Sequence, residues 1–447
     1  MPELLDVARR IAGAAVAGEQ VEACVSWSRD THVRAYDGDI ESLSSAESLG
    51  IGVRVVNGNR LGFAYAGSLD EEVAREVLAE ARDNATFATE DEHAALADPD
   101  GVEPVRLPIW RDELGAFPAA RKTELALDLE RRTRDGDPRV RQVTEADYED
   151  SAYEMAIASS TGIEATTRRT RCYLSAHLIA DDGTGDQTGY SYGAGRSPEE
   201  LDPATVAADA VHRAVRLLGA RKPASSRLPV VLDPGVTATL LGVIGRALSG
   251  EDVAKGRSFF AGRIGEPVAS SCFALVEDPT DPEAFGAGAI DGEGLACRRV
   301  VLVDKGTLAG FLYDTKAARL AGTVSTASAV RGGFRGTPGV GARALAVEPG
   351  TAGQDEILRN IGSGLYVQSV HGVHSGVSHV SGDFSVGARG IMISDGAFGE
   401  PVREVTIASS LQKMLQDVVA IGGDVERVPS SAMGVTLAIG EMAMSGA

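Results

Sequence analysis

The sequence predicts an α+β protein, with helices packed on a sheet in the N-terminal half and mostly antiparallel strands in the C-terminal half. Three observations carry this reading. Within the first 218 positions, apolar residues recur first at helical and then at strand spacing, several times over. Beyond residue 228 the chain turns glycine-rich and strand-like, with short turn signals between apolar runs. Between the halves, residues 219–227 (Gly-Ala-Arg-Lys-Pro-Ala-Ser-Ser-Arg) are polar and contain proline, as a linker does. A chain of 447 residues exceeds the usual size of one core. Two domains are therefore expected, residues 1–222 and 223–447.

Leu4, Val7, Ala8, Ile11 and Ala15 share one helical face and predict an N-terminal amphipathic helix. Val21, Ala23, Val25 and Trp27 alternate with Glu22, Cys24 and Ser26, the pattern of a half-buried strand. Residues 53–56 and 61–65 flank Asn57-Gly58-Asn59-Arg60, a hairpin signal because Asn and Gly tolerate positive φ. A helix follows over 69–85, then an acidic stretch near 89–104, poor in large apolar groups, that reads as a solvated loop. Residues 119–134 read as a helix, 139–143, 153–159 and 171–180 as strands, and 203–218 as a helix. In the second half, hairpins are expected around Asp304-Lys305-Gly306-Thr307 and Ser394-Asp395-Gly396. A last helix near 410–418 precedes closing strands.

Composition bounds the function. Residues are 43% hydrophobic and 24% charged, as in an ordinary globular protein. The net charge of −21 argues against a chain that grips nucleic acid by itself. No run of about 18 apolar residues predicts a membrane span, and the acidic start has no signal-peptide core. Cys24, Cys172, Cys272 and Cys297 are scattered without metal-binding spacing and read as buried free thiols, which points to the cytoplasm.

Several segments invite chemistry. His371, His374 and His379 form the one histidine cluster and are the alternative metal site, although no acidic residue or cysteine stands in that loop to complete a ligand shell. Residues 332–341 are glycine-rich but lack the phosphate-loop pattern, and read as a mobile or turn-rich connection. Asp383 and Ser385 offer an acid and a hydroxyl, for which turn chemistry is the simpler role. No GxSxG nucleophile elbow is present.

Four motifs occur in a telling order. They are residues 249–266 (SGEDVAKGRSFFAGRIGE), 312–319 (LYDTKAAR), 380–390 (VSGDFSVGARG) and 419–424 (VAIGGD). Together they resemble the signature of the TldD/PmbA (TldE) family, peptidases formerly described as modulators of DNA gyrase. One departure is Gly376-Val377-Ser378-His379, where the family reads GVNP. In the TldD branch an HExxxH zinc motif precedes the first segment, and its positions would fall here on Leu241, Gly242 and Arg246. None of the three can coordinate zinc, since leucine and glycine offer no donor and arginine is a permanent cation. The family's C-terminal cysteine ligand is also missing, because residues 425–447 contain no cysteine.

The chain thus resembles the PmbA/TldE branch. That resemblance implies a non-catalytic subunit with no cofactor of its own, paired with a zinc-bearing TldD-like metallopeptidase and acting on unfolded peptides or peptide leaders. A homodimeric peptide-binding scaffold and an autonomous metallopeptidase are the alternatives. Gly256, Arg257, Ser258 and Arg263, with Asp383 and Ser385, are the expected contacts to substrate or partner. In the resemblance the Lys255–Ser258 stretch borders the substrate cleft, where glycine lets a backbone approach closely.

Overall fold

The computed structural model describes residues 2–446, so Met1 and Ala447, the outer limits of the two expected domains, lie outside the described residues. The fold is α+β. Its first unit is a six-stranded antiparallel sheet made of β1 (Glu19–Tyr36), β2 (Asp39–Asn57), β3 (Arg60–Ala66), β4 (Val140–Ser159), β5 (Glu164–Ala180) and β6 (Gln187–Gly195). The strand order is β3-β2-β1-β4-β5-β6. Helices α1 (Pro2–Ala12), α2 (Glu71–Phe87), α4 (Ala119–Asp135) and α5 (Pro203–Val215) cover one face, and α3 (Glu113–Ala116) is a single turn.

The helical periodicity places its residues as expected except at Ala15, which lies beyond the end of α1 at Ala12. Leu4, Val7, Ala8 and Ile11 of α1 pack with Val77 and Leu78 of α2 on Val21, Ala23, Val25, Val53 and Val55. Leu129 of α4 and Val206 and Val211 of α5 cover Tyr148, Leu174 and Leu178 at the other end. Pro203 at the first turn and the Asp202 carboxylate, which accepts from the Ala204 N–H, set where α5 begins. The turn after β2 has positive φ at Gly58 and Asn59, which matches the right-handed twist of the strands it joins.

The strands are longer than their apolar alternation suggests. Residues 139–143 and 153–159 belong to one 20-residue strand, β4, because the intervening acidic run 145–150 is paired on both sides by β1 and β5. The start of β1 is buried on both faces, and Glu22 and Cys24 are as enclosed as their apolar neighbours. The acidic stretch 89–104 is only partly a solvated loop. Ala94 to Ala97 are buried, Leu96 packs with Val56, and Asp91 pairs with Lys316 at 2.8 Å.

The connector leads into β7 (Ser226–Leu232). Beta-strand Gly364–His371 pairs parallel to β7, and among the described residues the other strand ladders are antiparallel. In the six-stranded sheet that runs Ala397–Ser410, Asp383–Ser394, Gly364–His371, β7, Leu437–Ser445 and Val418–Ile421, strand Leu437–Ser445 also pairs with Ala397–Ser410, so the first five close into a ring. Val230, Leu232, Val367, Val386, Ile407 and Ile439 fill its interior side, together with the apolar face of α6 (Pro234–Ala247). The hairpins at 304–307 and 394–397 form as expected, with positive φ at Lys305, Gly306, Asp395 and Gly396. The late helix is shorter than its pattern, Leu411–Gln416.

Candidate functional site

Helix α6 starts at an Asp233 cap, with Pro234 in its first turn, and carries the degenerate metal positions. Leu241 faces the core and is fully buried, whereas Gly242 and Arg246 lie four residues apart on the exposed side. A zinc ion would find no donor atom at any of the three, and a guanidinium there opposes a cation. The residues present therefore do not fit the metal.

A short helix, α7 (Gly250–Ala254), follows and abuts residues 312–313. The Gly250 N–H donates to the Leu312 carbonyl at 2.8 Å, and a Cβ at Gly250 would overlap the Tyr313 ring. Glycine is required there by the close approach of Tyr313. Gly256, at φ +66°, and Arg257 are exposed. Ser258 is buried and donates to the Ala247 carbonyl at 2.5 Å, so it ties the turn to the end of α6 and does not face a ligand. Arg263 is paired with Glu266 at 3.0 Å. Of this group, Gly256 and Arg257 present free surface.

The histidine cluster does not assemble. His371, at the end of a strand, and His374, inside the single helical turn Val373–Gly376, are both exposed, and His379 points instead to Asp252 of α7, at 3.9 Å. Asp383 and Ser385 share the exposed face of one strand, where Asp383 accepts from the Ser381 hydroxyl at 2.6 Å and no hydrogen bond joins the pair. Among the described residues, donor atoms converge closely enough for a metal only at His32, Asp147 and Glu149. Arg34 already engages both Asp147 oxygens at 2.7 Å, and that guanidinium argues against a cation.

The larger feature is a cleft on the face of the N-terminal sheet that the helices leave open. One chamber, of about 700 Å³, is lined by Tyr173, Tyr190, Tyr192 and His32, with Asp30 and Glu149 at its acidic side. A second, of about 320 Å³, continues from it past Arg171, Phe285 and Pro429, which line both. Its walls carry Arg169 and Arg171 from β5 and Arg331 and Arg343 from the C-terminal half. Burial disfavours the charge of Arg171, helped by its repulsion from Arg169, Arg196 and Arg343, and burial disfavours that of Arg169 likewise. Burial and the charge of Glu293 push Asp291, in the same wall, up to about 7.

The glycine-rich segment 332–341 is not a loose connection at its start. Phe334 is buried against β2, where a Cβ on Gly50 or Gly52 would run into it, and its N–H donates to the Ser26 hydroxyl at 3.0 Å. Arg331 reaches Glu22 of β1 at 2.5 Å, and Arg54 of β2 holds the same carboxylate through Nε at 2.9 Å. Burial alone would raise the Glu22 carboxyl, but Arg331 and Arg54 override it and hold it at about 2. Sequence reasoning missed both the cleft arginines and this ion cluster. The one local signal was a charged residue inside an apolar strand.

Comparison with known proteins agrees with this architecture. Residues 225–446 match the model of the PmbA/TldA metallopeptidase C-terminal domain, 112–218 that of the central domain, and 21–85 that of domain 1. The chain is 27% identical to "Metalloprotease PmbA" of Escherichia coli over 91% of its own length and 88% of that protein. It is also 27% identical to a protein named "Metalloprotease" from Methanothermobacter thermautotrophicus, over 94% and 90%. The crystal structure of TldE from Thermococcus kodakarensis superposes with a TM-score of 0.89 at 22% identity, covering all of both chains.

Proposed function

Since the chain belongs to the PmbA/TldD metallopeptidase family, we propose that it is the non-catalytic, TldE-like subunit of a two-protein metallopeptidase acting in the cytoplasm on unfolded peptides or peptide leaders. The observation that carries this reading is α6, where Leu241 is locked in the core and the exposed positions are Gly242 and Arg246. A side chain in the core and a permanent cation cannot be recruited as ligands by a small movement. Zinc would then reside in a TldD-like partner. This chain would contribute shape, through the exposed surface around Gly256 and Arg257.

Mixing the chain with a TldD-like protein from the same source tests the proposal. The expected result is a stable heterodimer on gel filtration, with chelator-sensitive peptidase activity above that of either protein alone and zinc only in the partner. Separate elution at micromolar concentration with unchanged activity would sink the subunit reading in favour of a homodimeric binder. Stoichiometric zinc in the isolated chain would sink it in favour of an autonomous enzyme.

A further inference from the structure

The second chamber of the cleft is built for something it does not itself supply. Arg169 and Arg171 lie two residues apart on β5 and face the same side. Among the described residues neither guanidinium has a carboxylate partner or a hydrogen bond. Arg169 stacks on the Tyr153 ring at 4.5 Å, Arg171 on the Phe285 ring at 4.4 Å, and the Arg171 Nε is fully enclosed without an acceptor. Arg331, whose side chain is 1% exposed beside the same cavity, is neutralised by Glu22 at 2.5 Å, although its Nε and Nη1 find no acceptor there. Arg343 spends Nη1 on the Ile290 carbonyl at 2.8 Å, and its backbone N–H, not its guanidinium, donates to the Glu277 carboxylate at 2.7 Å.

Arginine does not shed its proton in proteins. A buried guanidinium without a counter-charge is costly, so several on one cavity mark a place where an anion is missing. Among the described residues Asp291 forms no ion pair with these guanidinium groups, and its two oxygens accept from the backbone N–H groups of Glu293, Leu295 and Ala329. The adjoining chamber settles which kind of anion fits. It is lined by tyrosines and also carries Asp30 and Glu149, and the whole chain is strongly acidic. A polyphosphate or nucleic acid would be repelled along that path, whereas a peptide presents apolar side chains and an ammonium group there and one planar carboxylate at its end. The fork of arginine matches a carboxylate in two-point contact.

We propose that this cleft captures the C-terminal carboxylate of a short peptide among the guanidinium groups of Arg169, Arg171 and Arg343, with the peptide body running over the tyrosines of the first chamber. The site belongs to this chain alone, and only the naming of the anion as a peptide end rests on the peptide-handling function proposed above.

The test uses the isolated full-length chain, so that it does not depend on heterodimer formation. Calorimetric titration compares the tripeptide Ala-Leu-Ala as free acid, the same tripeptide amidated at its C-terminus, and inorganic phosphate. The free acid should bind at least about tenfold tighter than the amide, the loss expected for a charge-assisted contact. Arg171→Met should weaken the free acid by about tenfold or more while its thermal melting stays level or rises, because the variant removes an unpaired buried charge. Arg169→Gln serves as the second variant and should weaken binding likewise. Equal binding of acid and amide, binding of phosphate without either peptide, no binding at all, or unchanged affinity in both well-folded variants would each overturn the proposal.

Discussion

Replacing Glu22 by glutamine tests how the two halves are held together. The Glu22 carboxylate lies between Arg54 and Arg331, and all three side chains are 6% exposed or less. Its pKa falls from the ordinary 4.5 to about 2, so pairing outweighs burial by roughly 3 kcal/mol at about 1.4 kcal/mol per unit. Removing one partner of a buried ion pair costs about 3–5 kcal/mol, because the remaining charges are stranded. Both routes lead to a loss of about 3 kcal/mol for Glu22→Gln at pH 7. Urea unfolding followed by the fluorescence of Trp27, on the same strand, measures it. The sign with pH follows from the depressed value. The contribution is complete above the unfolded pKa near 4.5 and is lost as pH falls through about 2. The gap between wild type and variant should therefore be constant from pH 7 to 5 and shrink to about half near pH 3. Equal stability at pH 7, or a gap unchanged at pH 3, would refute the reasoning.

Two further outcomes follow from the same packing. Gly52→Ala should destabilise the chain by about 1–3 kcal/mol, the usual range for overpacking, since its methyl would overlap the Phe334 backbone; thermal melting reads it. Cys272 is exposed while Cys24, Cys172 and Cys297 are enclosed, and burial raises the thiols of all three, Cys297 to about 12. A thiol reagent at pH 8 should thus modify one cysteine rapidly in the native protein and four after denaturation; two or more fast sites would contradict the burial.

Elements whose partners are close in sequence were legible. The helices at 119–134 and 203–218 and the turn at 57–60 fall within a few residues of their observed limits, because local period and turn chemistry suffice to define them. The hairpin between β1 and β2 was equally available in Asp37-Gly38, both at positive φ, and passed unread. What stayed hidden depends on contacts across hundreds of residues. Glu22 looks like the polar side of a half-buried strand until Arg331 arrives, and 332–341 looks loose until Phe334 meets Gly50 and Gly52. The expectation that all four thiols are buried fails at Cys272 alone. At the candidate site, the three empty positions on α6 could be read from residue identity. The cleft could not, since Arg169 and Arg343 come from different halves and nothing local marks either as unpaired.

The Arg331–Phe334 insertion changes what the connector at 219–227 is for. A flexible tether lets two bodies swing, but here the second body reaches back and plugs into the first, so the tether carries little mechanical load. Severed at that point, the chain would give two fragments, each bearing half of one charged joint: a carboxylate and two glycines on one piece, a guanidinium and a phenyl ring on the other. Such halves are matched as a key is to its lock. Co-expressed as separate polypeptides, they would be drawn back together by complementarity, which makes this junction a natural place to build a split reporter.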